Sequence, residues 1–235
     1  MQFSIIVPAR NEELNLPAIV EFLNQQSNVH EVIICEGNSQ DDTWRVAKDL
    51  ESKYPSKVHA LQQDGKNKFN AVLCALRVSS SDHVVIWDAD GTVAFVDQMR
   101  LLDSATEDPS ALWTGDRLRG KREKGAMRFL NLLGNHFFAV LWGLILRNKV
   151  DTLCGTKIFK RNLLDFCPSE VKDRDPFGDF SLIAGAYLAG SRVRSIPVHY
   201  LARSYGETNI RRWSNGFHLL QLFLAFLRHL VRNRN

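Results

Sequence analysis

Paired cysteines, a membrane-length apolar run, internal repeats and low-complexity segments are all missing from this 235-residue chain. The four cysteines, Cys35, Cys74, Cys154 and Cys167, show no CxxC spacing and no histidine at metal-ligand distance, which excludes a disulfide framework and a zinc site. Cys35 and Cys74 fall in apolar runs and read as small buried hydrophobes of a reducing, cytosolic setting. Met1-Gln2-Phe3-Ser4 enters directly into a strand-like run, so no secretory leader is expected. The unbroken apolar run from Phe137 to Leu146 falls well short of the ~20 residues of a spanning helix. Extending it backwards brings in Asn131, Asn135 and His136. The apolar tail from Phe217 to Val231 carries His218, Gln221, Arg228 and His229. Neither reads as a span, and both read as surfaces that can touch a membrane. Without a Gly/Ser linker, one domain over 1–235 is expected. A net charge of +4 gives no reason to invoke nucleic acid and leaves nucleotide phosphates, lipid phosphates or an acidic bilayer as anionic partners.

What the sequence does contain is an alternation of short β-branched runs with amphipathic stretches, the pattern of βαβ units on a mostly parallel sheet. Strands are expected at Phe3–Val7, Glu31–Cys35, Val58–Leu61, His83–Trp87 and Leu112–Thr114. The intervening helices are expected over Glu13–Gln26, with Leu14, Leu16, Ile19, Val20 and Leu23 on one side, from Asp41 or Asp42 to about Lys53, and over Lys68–Val78. After Gly115 the character changes. A basic stretch, Arg117 to Arg128, leads into a long apolar helix ending near Arg147. A strand (Lys157–Phe159), a helix (Asp179–Ala189), a strand (Val193–Val198) and a last helix from about Trp213 follow. About 1–115 reads as a nucleotide-binding half, about 116–212 as an acceptor half, and 213–235 as a C-terminal amphipathic helix.

In open α/β sheets ligands collect at the C-terminal ends of parallel strands. Here those ends carry Pro8-Ala9-Arg10-Asn11-Glu12, Glu36-Gly37-Asn38-Ser39 and Asp88-Ala89-Asp90, each directly after an apolar run. Two carboxylates at i and i+2, Asp88 and Asp90, can reach a common cation. Mg²⁺ or Mn²⁺ suits such oxygen donors and keeps places for water and substrate phosphate. An isolated triplet of this kind is more often an Asx-type turn; its position at the end of HVVIW gives it the ligand reading.

The segments SIIVPARNEELNLP, EVIICEGNSQDDT, VVIWDAD and GDRLRG, in this order and spacing, resemble family 2 glycosyltransferases of the GT-A fold. The chain is most similar to the branch of dolichol-phosphate mannose synthases and polyprenyl-phosphate glycosyltransferases. That resemblance covers about residues 3–212 and implies sugar transfer from a nucleotide-diphosphate sugar, with inversion, aided by a divalent metal. It assigns Pro8, Ala9, Arg10 and Glu12 to the opening nucleotide loop and Glu36 to the nucleoside, where the family usually has Asp. Gly37 replaces a frequent second Asp. Asp88, Ala89 and Asp90 match the metal and diphosphate site, and Thr92 stands where the branch often has a Gln ligand. Lys66 and Lys68 lie in a loop that approaches the nucleotide, with a solvated lysine pair as the plain alternative. Arg117 and Arg128 match arginines near the phosphates, and Arg119, Lys121, Arg122 and Lys124 read as the charged loop around them. Asp151 to Lys157 resembles the segment lining the acceptor side, where Gly155 lets the backbone approach. Asp179 stands near the family's acidic base, needed for a hydroxyl acceptor and dispensable for a phosphate one; the other reading makes it a helix N-cap. Tyr200 to Asn209 resembles the family's R-x-x-G-x-[ST]-K loop. Arg203 and Gly206 fit, Asn209 replaces the Lys, and Arg211 and Arg212 are the nearest replacement charges.

In the last helix His218, Gln221, Ala225, Arg228 and Arg232 form one narrow stripe in an otherwise apolar surface, so two sides of the helix require cover. The expected cover is the domain on one side and lipid, a second copy or a membrane subunit on the other, with Arg228, Arg232 and Arg234 toward an anionic surface. Phe129 to Leu146, with Phe137, Phe138 and Trp142, offers a second such surface. The expectation is a metal-dependent hexose transfer to a polyprenyl phosphate at the cytoplasmic membrane face. Its rivals are transfer to a sugar hydroxyl of a lipopolysaccharide or capsule glycan with Asp179 as base, a nucleotidyltransferase, and a non-catalytic nucleotide-sugar-binding subunit. PARNEE lacks the Gly-rich basic loop that a nucleotidyltransferase needs.

Overall fold

The computed structural model describes residues 1–203 and 212–233. Strands β1 (Phe3–Ala9), β2 (Val29–Glu36), β3 (Val58–Gln62) and β4 (His83–Ile86) alternate with helices α1 (Leu16–Asn24), α2 (Thr43–Lys53) and α3 (Asn67–Val78). Then come α4 (Phe95–Glu107), β5 (Leu112–Asp116), α5 (Phe129–Leu146) and β6 (Lys157–Lys160). A 3-10 turn (Arg161–Phe166), α6 (Ser169–Lys172), α7 (Asp179–Leu188), β7 (Val193–Pro197) and α8 (Arg212–Arg232) complete the order. The seven strands form one sheet in the order β3-β2-β1-β4-β6-β5-β7. β6 runs antiparallel to both its neighbours, and the other four pairings are parallel.

Side chains alternate across the strands, so each inner strand feeds two cores. Phe3, Ile5, Val7, Val32, Ile34 and Val85 face α1, α2 and α4. Ile6, Ile33, Cys35, Val84 and Ile86 face α3, α5, α7 and α8. The chain leaves β1 for β2 on one side and returns through α3 to β4 on the other. The sheet order therefore reverses between β1 and β4, and the ends of these two strands open a crevice.

Several expectations need correcting. α1 begins at Leu16, not Glu13, and Leu14 is exposed, because Asn11 to Asn15 form a loop tied to the next one. The sequence reading passes over α4 entirely, together with the 3-10 turn and α6. Asp179 is the first residue of α7 and is not its cap. Asp175 does the capping, its carboxylate accepting the N–H groups of Phe177, Gly178 and Ser181 at 2.9–3.0 Å. Of the proposed polar stripe on α8, Ala225 is buried and His218 meets the Arg174 carbonyl, while apolar Phe217, Leu224 and Val231 stand exposed. The apolar run expected from Phe137 is part of a longer helix. α5 keeps Asn131, Asn135 and His136 inside 18 uninterrupted helical residues, long and apolar enough by length and composition to cross a membrane, yet only 17% of that stretch is buried.

Candidate active site

The crevice is built first by backbone. The loops after β1 and β2 are stitched together: Gly37 N–H donates to Ala9 O (2.8 Å), Asn11 N–H to Ser39 Oγ (3.0 Å), and Gln40 N–H to Asn11 Oδ1 (2.8 Å). Glu12 N–H donates to Thr43 Oγ1 (2.8 Å) and Asp42 N–H to Glu13 Oε2 (2.8 Å). Asn11 and Asn38 both take positive φ, a conformation their short polar side chains tolerate. Ala9 and Glu36 are thereby buried at paired strand ends, with Pro8 half-buried and Arg10 exposed. Gln62 Nε2 donates to Glu36 Oε2 (3.3 Å).

Across the crevice, the loop after β4 presents Asp88 and Asp90 on either side of buried Ala89. Lys68, in the first turn of α3, pairs with Asp88 Oδ1. Asp90 Oδ1 accepts the Thr92 N–H (3.1 Å) and hydroxyl (2.8 Å), and Asp90 Oδ2 accepts Arg203 Nη2 at 2.6 Å. The same guanidinium reaches Glu12 Oε1 at 3.5 Å. Arg203 is brought there by a tethered strap, with Leu201 N–H on Thr92 O (2.8 Å), Tyr200 N–H on Lys121 O (2.8 Å) and Ala202 N–H on Glu123 Oε2 (2.7 Å). Gly206, Asn209 and Arg211 of that element lie outside the described residues.

Below Asp88 the wall is Thr152 to Lys157. A Cβ at Gly155 would collide with Asp88 Oδ2 and Lys68 Nζ, so any other residue there would push the Lys68–Asp88 pair aside. Lys157 is fully buried; its ammonium donates to Thr152 O (3.4 Å), Cys154 O and Asp179 Oδ1. Arg117 grips Asp151 through Nε (2.8 Å) and Nη2 (3.1 Å) and lies over the Tyr200 ring, 5.2 Å from its centroid. Arg117 is therefore committed to Asp151. Lys66 at the start of α3 and Arg128 at the start of α5 are exposed, and among the described residues neither forms an ion pair.

Charges consequently alternate along the crevice. On one side run Lys157, Asp179, Lys68 and Asp88; on the other, Glu12, Arg203 and Asp90. The two rows end at Asp88 and Asp90, two positions apart on the loop after β4, one paired with Lys68 and the other with Arg203. That is the position a divalent cation would fill. The donors fit it, being hard carboxylate oxygens on one short loop, each oriented from behind. Thr92, where the branch often has a Gln, holds Asp90 through its N–H and hydroxyl. Among the described residues no cluster of three or more His, Cys, Asp or Glu surrounds the position, so the protein offers two oxygen-bearing groups and leaves room for others.

With this geometry in place, the comparisons are decisive for the family. The profile described as glycosyl transferase family 2 matches residues 4–166. The chain belongs to glycosyl transferase family 2. A dolichyl-phosphate beta-glucosyltransferase of Drosophila melanogaster is 31% identical over 180 residues, 68% of this chain and 55% of that protein. A dolichol-phosphate mannosyltransferase of Pyrococcus furiosus is 24% identical over 241 residues, 99% of this chain and 63% of that protein. The chain thus spans between half and two thirds of the length of these curated relatives. Among solved structures, mannosyl-3-phosphoglycerate synthase from Rubrobacter xylanophilus matches with a TM-score of 0.71 at 18% identity, over 99% of this chain and 75% of that one. Glucosyl-3-phosphoglycerate synthase from Mycobacterium tuberculosis, in complex with Mn²⁺, UDP and glucosyl-3-phosphoglycerate, matches with a TM-score of 0.68 at 17% identity, over 96% and 78%. At these identities the likeness establishes the fold, GT-A.

Within this family 2 domain, burial and charge set the protonation of the crevice. Burial lifts the Glu12 carboxyl to about 7, against the Asn15 hydrogen bond and the pull of Arg203. Burial works to lower the Lys68 ammonium, and Asp88 and Asp179 overcome it and raise it. Burial raises Asp179 despite Lys157 and Lys68. Asp151 is lowered, since Arg117 outweighs the burial that would raise it. Sequence reasoning missed Lys157 and Asp175. The available signals were a lysine inside a buried strand and an Asp-Pro-Phe-Gly start to a helix.

Proposed function

We propose that the domain transfers a hexose from a nucleotide-diphosphate sugar to a polyprenyl-phosphate-type acceptor at the cytoplasmic face of a membrane, with inversion at the anomeric carbon. The observation that carries this reading is the pair of carboxylates two positions apart on the loop after β4, Asp88 and Asp90, each backed by its own cation. Asp88 and Asp90 would hold Mg²⁺ or Mn²⁺, which neutralises the diphosphate as charge builds on it. Pro8, Ala9, Arg10, Glu12 and Glu36 shape the nucleotide side through the stitched loops. Lys66 and Lys68 stand at the start of α3 beside it. Arg203, Arg128 and Arg117 are the guanidinium groups offered to phosphate charge: Arg203 from Asp90, Arg128 from the exposed start of α5, and Arg117 from its pair with Asp151.

The choice of a phosphate acceptor over a hydroxyl rests on Asp179. Its carboxylate is buried and held by Lys157, so it is poorly placed to take a proton from an acceptor. A phosphate is already an anion and needs no base. The named activities of the dolichyl-phosphate relatives support the same class, as do the exposed apolar faces of α5 and α8 for a lipid-linked substrate.

A panel of UDP-, GDP- and dTDP-sugars with Mg²⁺ or Mn²⁺ tests the reading through diphosphate release and metal-dependent donor binding. At least one donor should turn over with a polyprenyl phosphate, and Asp179→Asn should keep that turnover at saturating metal. If Asp179→Asn abolishes it while donor binding persists, the acceptor is a hydroxyl and Asp179 its base. If no donor binds and Asp90→Ala changes nothing, the transferase reading fails, leaving a non-catalytic subunit.

A further inference from the structure

Two carboxylates act on the Lys68 ammonium in this crevice, Asp88 in contact and Asp179 through its charge. Lys68 pairs with Asp88. The start of α3 also abuts the start of α7: Phe69 N–H donates to Pro176 O at 3.1 Å, and the Phe69 ring fills the space a side chain at Gly178 would occupy. Lys68 and Asp179 are therefore neighbours on touching helix ends, and Asp179 contributes to the field on Lys68 second only to Asp88 among the charges. Asp179 is itself paired with Lys157, whose ammonium occupies Asp179 Oδ1 and also holds the carbonyls of Thr152 and Cys154. Gly155, next to Cys154, closes on Asp88 Oδ2 and Lys68 Nζ, so the same anchor fixes the wall against which the Lys68–Asp88 pair sits.

We propose that Asp179 is a positioning residue that acts on Asp88 through Lys68, with buried Lys157 setting how Lys68 is divided between the two carboxylates. A share of Lys68 held toward Asp179 leaves Asp88 open to a divalent cation. Lys68 held wholly by Asp88 competes with that cation. The role differs from that of a catalytic base, which would have to touch a reacting atom. The inference rests on the reading of Asp88 and Asp90 as metal ligands.

A double-mutant cycle on Mn²⁺ binding tests it without donor or turnover, by electron paramagnetic resonance of free Mn²⁺. Asp179→Asn should weaken Mn²⁺ binding by roughly threefold to tenfold, because Lys68 then has one carboxylate only. In a Lys68→Met background the same change should have an effect within about twofold. Equal losses in both backgrounds would mean a bare field effect and overturn the relay, as would no loss in either. Where Asp179→Asn leaves Lys157 without its carboxylate and the protein does not fold, the pair Lys157→Met with Asp179→Asn replaces it in the same cycle. An Asp88→Asn/Asp90→Asn control separates the two levels. If Mn²⁺ binding survives that control unchanged, or the wild type binds none, the metal reading itself falls and takes the inference with it. If the control abolishes binding and the cycle is additive, only the inference falls.

Discussion

The crevice over β1 and β4 and the flank formed by α5 and α8 break opposite rules. In the crevice, charged groups are buried: Glu12, Glu36, Asp151, Lys157 and Asp179 are each less than 9% exposed. On the flank, large apolar groups face outward: Phe129, Leu133, Phe137, Val140, Leu144, Phe217, Leu224 and Val231. Burying charge costs several kcal/mol per ion unless it is paired, and exposing apolar surface forfeits about 25 cal/mol per Å². The crevice offsets its cost internally by alternating signs. The flank has no such compensation among the described residues. The proposed reaction would use both, the crevice for a charged donor and the uncovered flank for a lipid-linked acceptor.

The sharpest way to break the crevice is to remove one partner of a buried pair. Arg117→Ala would leave Asp151, which is fully buried, without its two guanidinium hydrogen bonds. A loss of about 3–5 kcal/mol in urea unfolding is expected, with Asp151→Asn in the same background recovering part of it. A loss under 1 kcal/mol would show that water, not Arg117, satisfies Asp151. Asp90→Ala acts on chemistry instead. It removes one of the two proposed metal donors and the Asp90 partner of Arg203, so turnover should fall by about 10²–10³ with melting little changed. Activity kept within tenfold would mean that the two carboxylates do not share a cation.

These two cases also mark what sequence could and could not supply. The polar loops at strand ends were legible because a local rule, an apolar run followed by acidic or small residues, places them. The parallel order of β1 to β4 followed from the same local alternation. Arg117 and Asp151 were each visible, but their pairing spans 34 positions and was not. The Lys157–Asp179 pair, 22 positions apart, was hidden in the same way: a lysine in Thr156-Lys157-Ile158 reveals nothing of the carboxylate that α7 brings to it. α4 escaped for a local reason. The face it buries mixes Asp97 and Gln98 with Leu101, Leu102 and Ala105, so no clean apolar period marks it.

Glu12 gives the crevice a pH signature of known sign. Its carboxyl is raised from about 4.5 to about 7 by burial, so the folded state holds its proton more tightly than the unfolded chain. Stability is intact below about pH 4.5 and is withdrawn as pH rises through about 7, by up to about 3 kcal/mol. Urea unfolding at pH 5 and pH 8 should therefore show a steeper decline for the wild type than for Glu12→Gln. Parallel declines would place Glu12 in solvent, or pair it with Arg203 more strongly than burial opposes it.

The flank is where substitutions should matter least to folding. Leu133, Phe137, Val140 and Leu144 follow one another at intervals of four, three and four along α5, and all are 49–76% exposed. The opposite face, Asn135, Phe138, Ala139 and Trp142, carries the packing, with Trp142 meeting Phe180, Phe223 and Phe226 edge-on or tilted at 5.1–5.3 Å. Leu133→Glu with Leu144→Glu should change unfolding free energy by about 0.5 kcal/mol or less, the range of ordinary surface substitutions. Flotation with anionic phospholipid vesicles should fall sharply in the same protein if lipid covers this stripe. A large loss of stability that grows on dilution would instead assign the stripe to a second copy of the chain. Unchanged flotation with unchanged stability would leave α8, with Arg228 and Arg232 beside Leu224 and Val231, as the surface that meets the membrane.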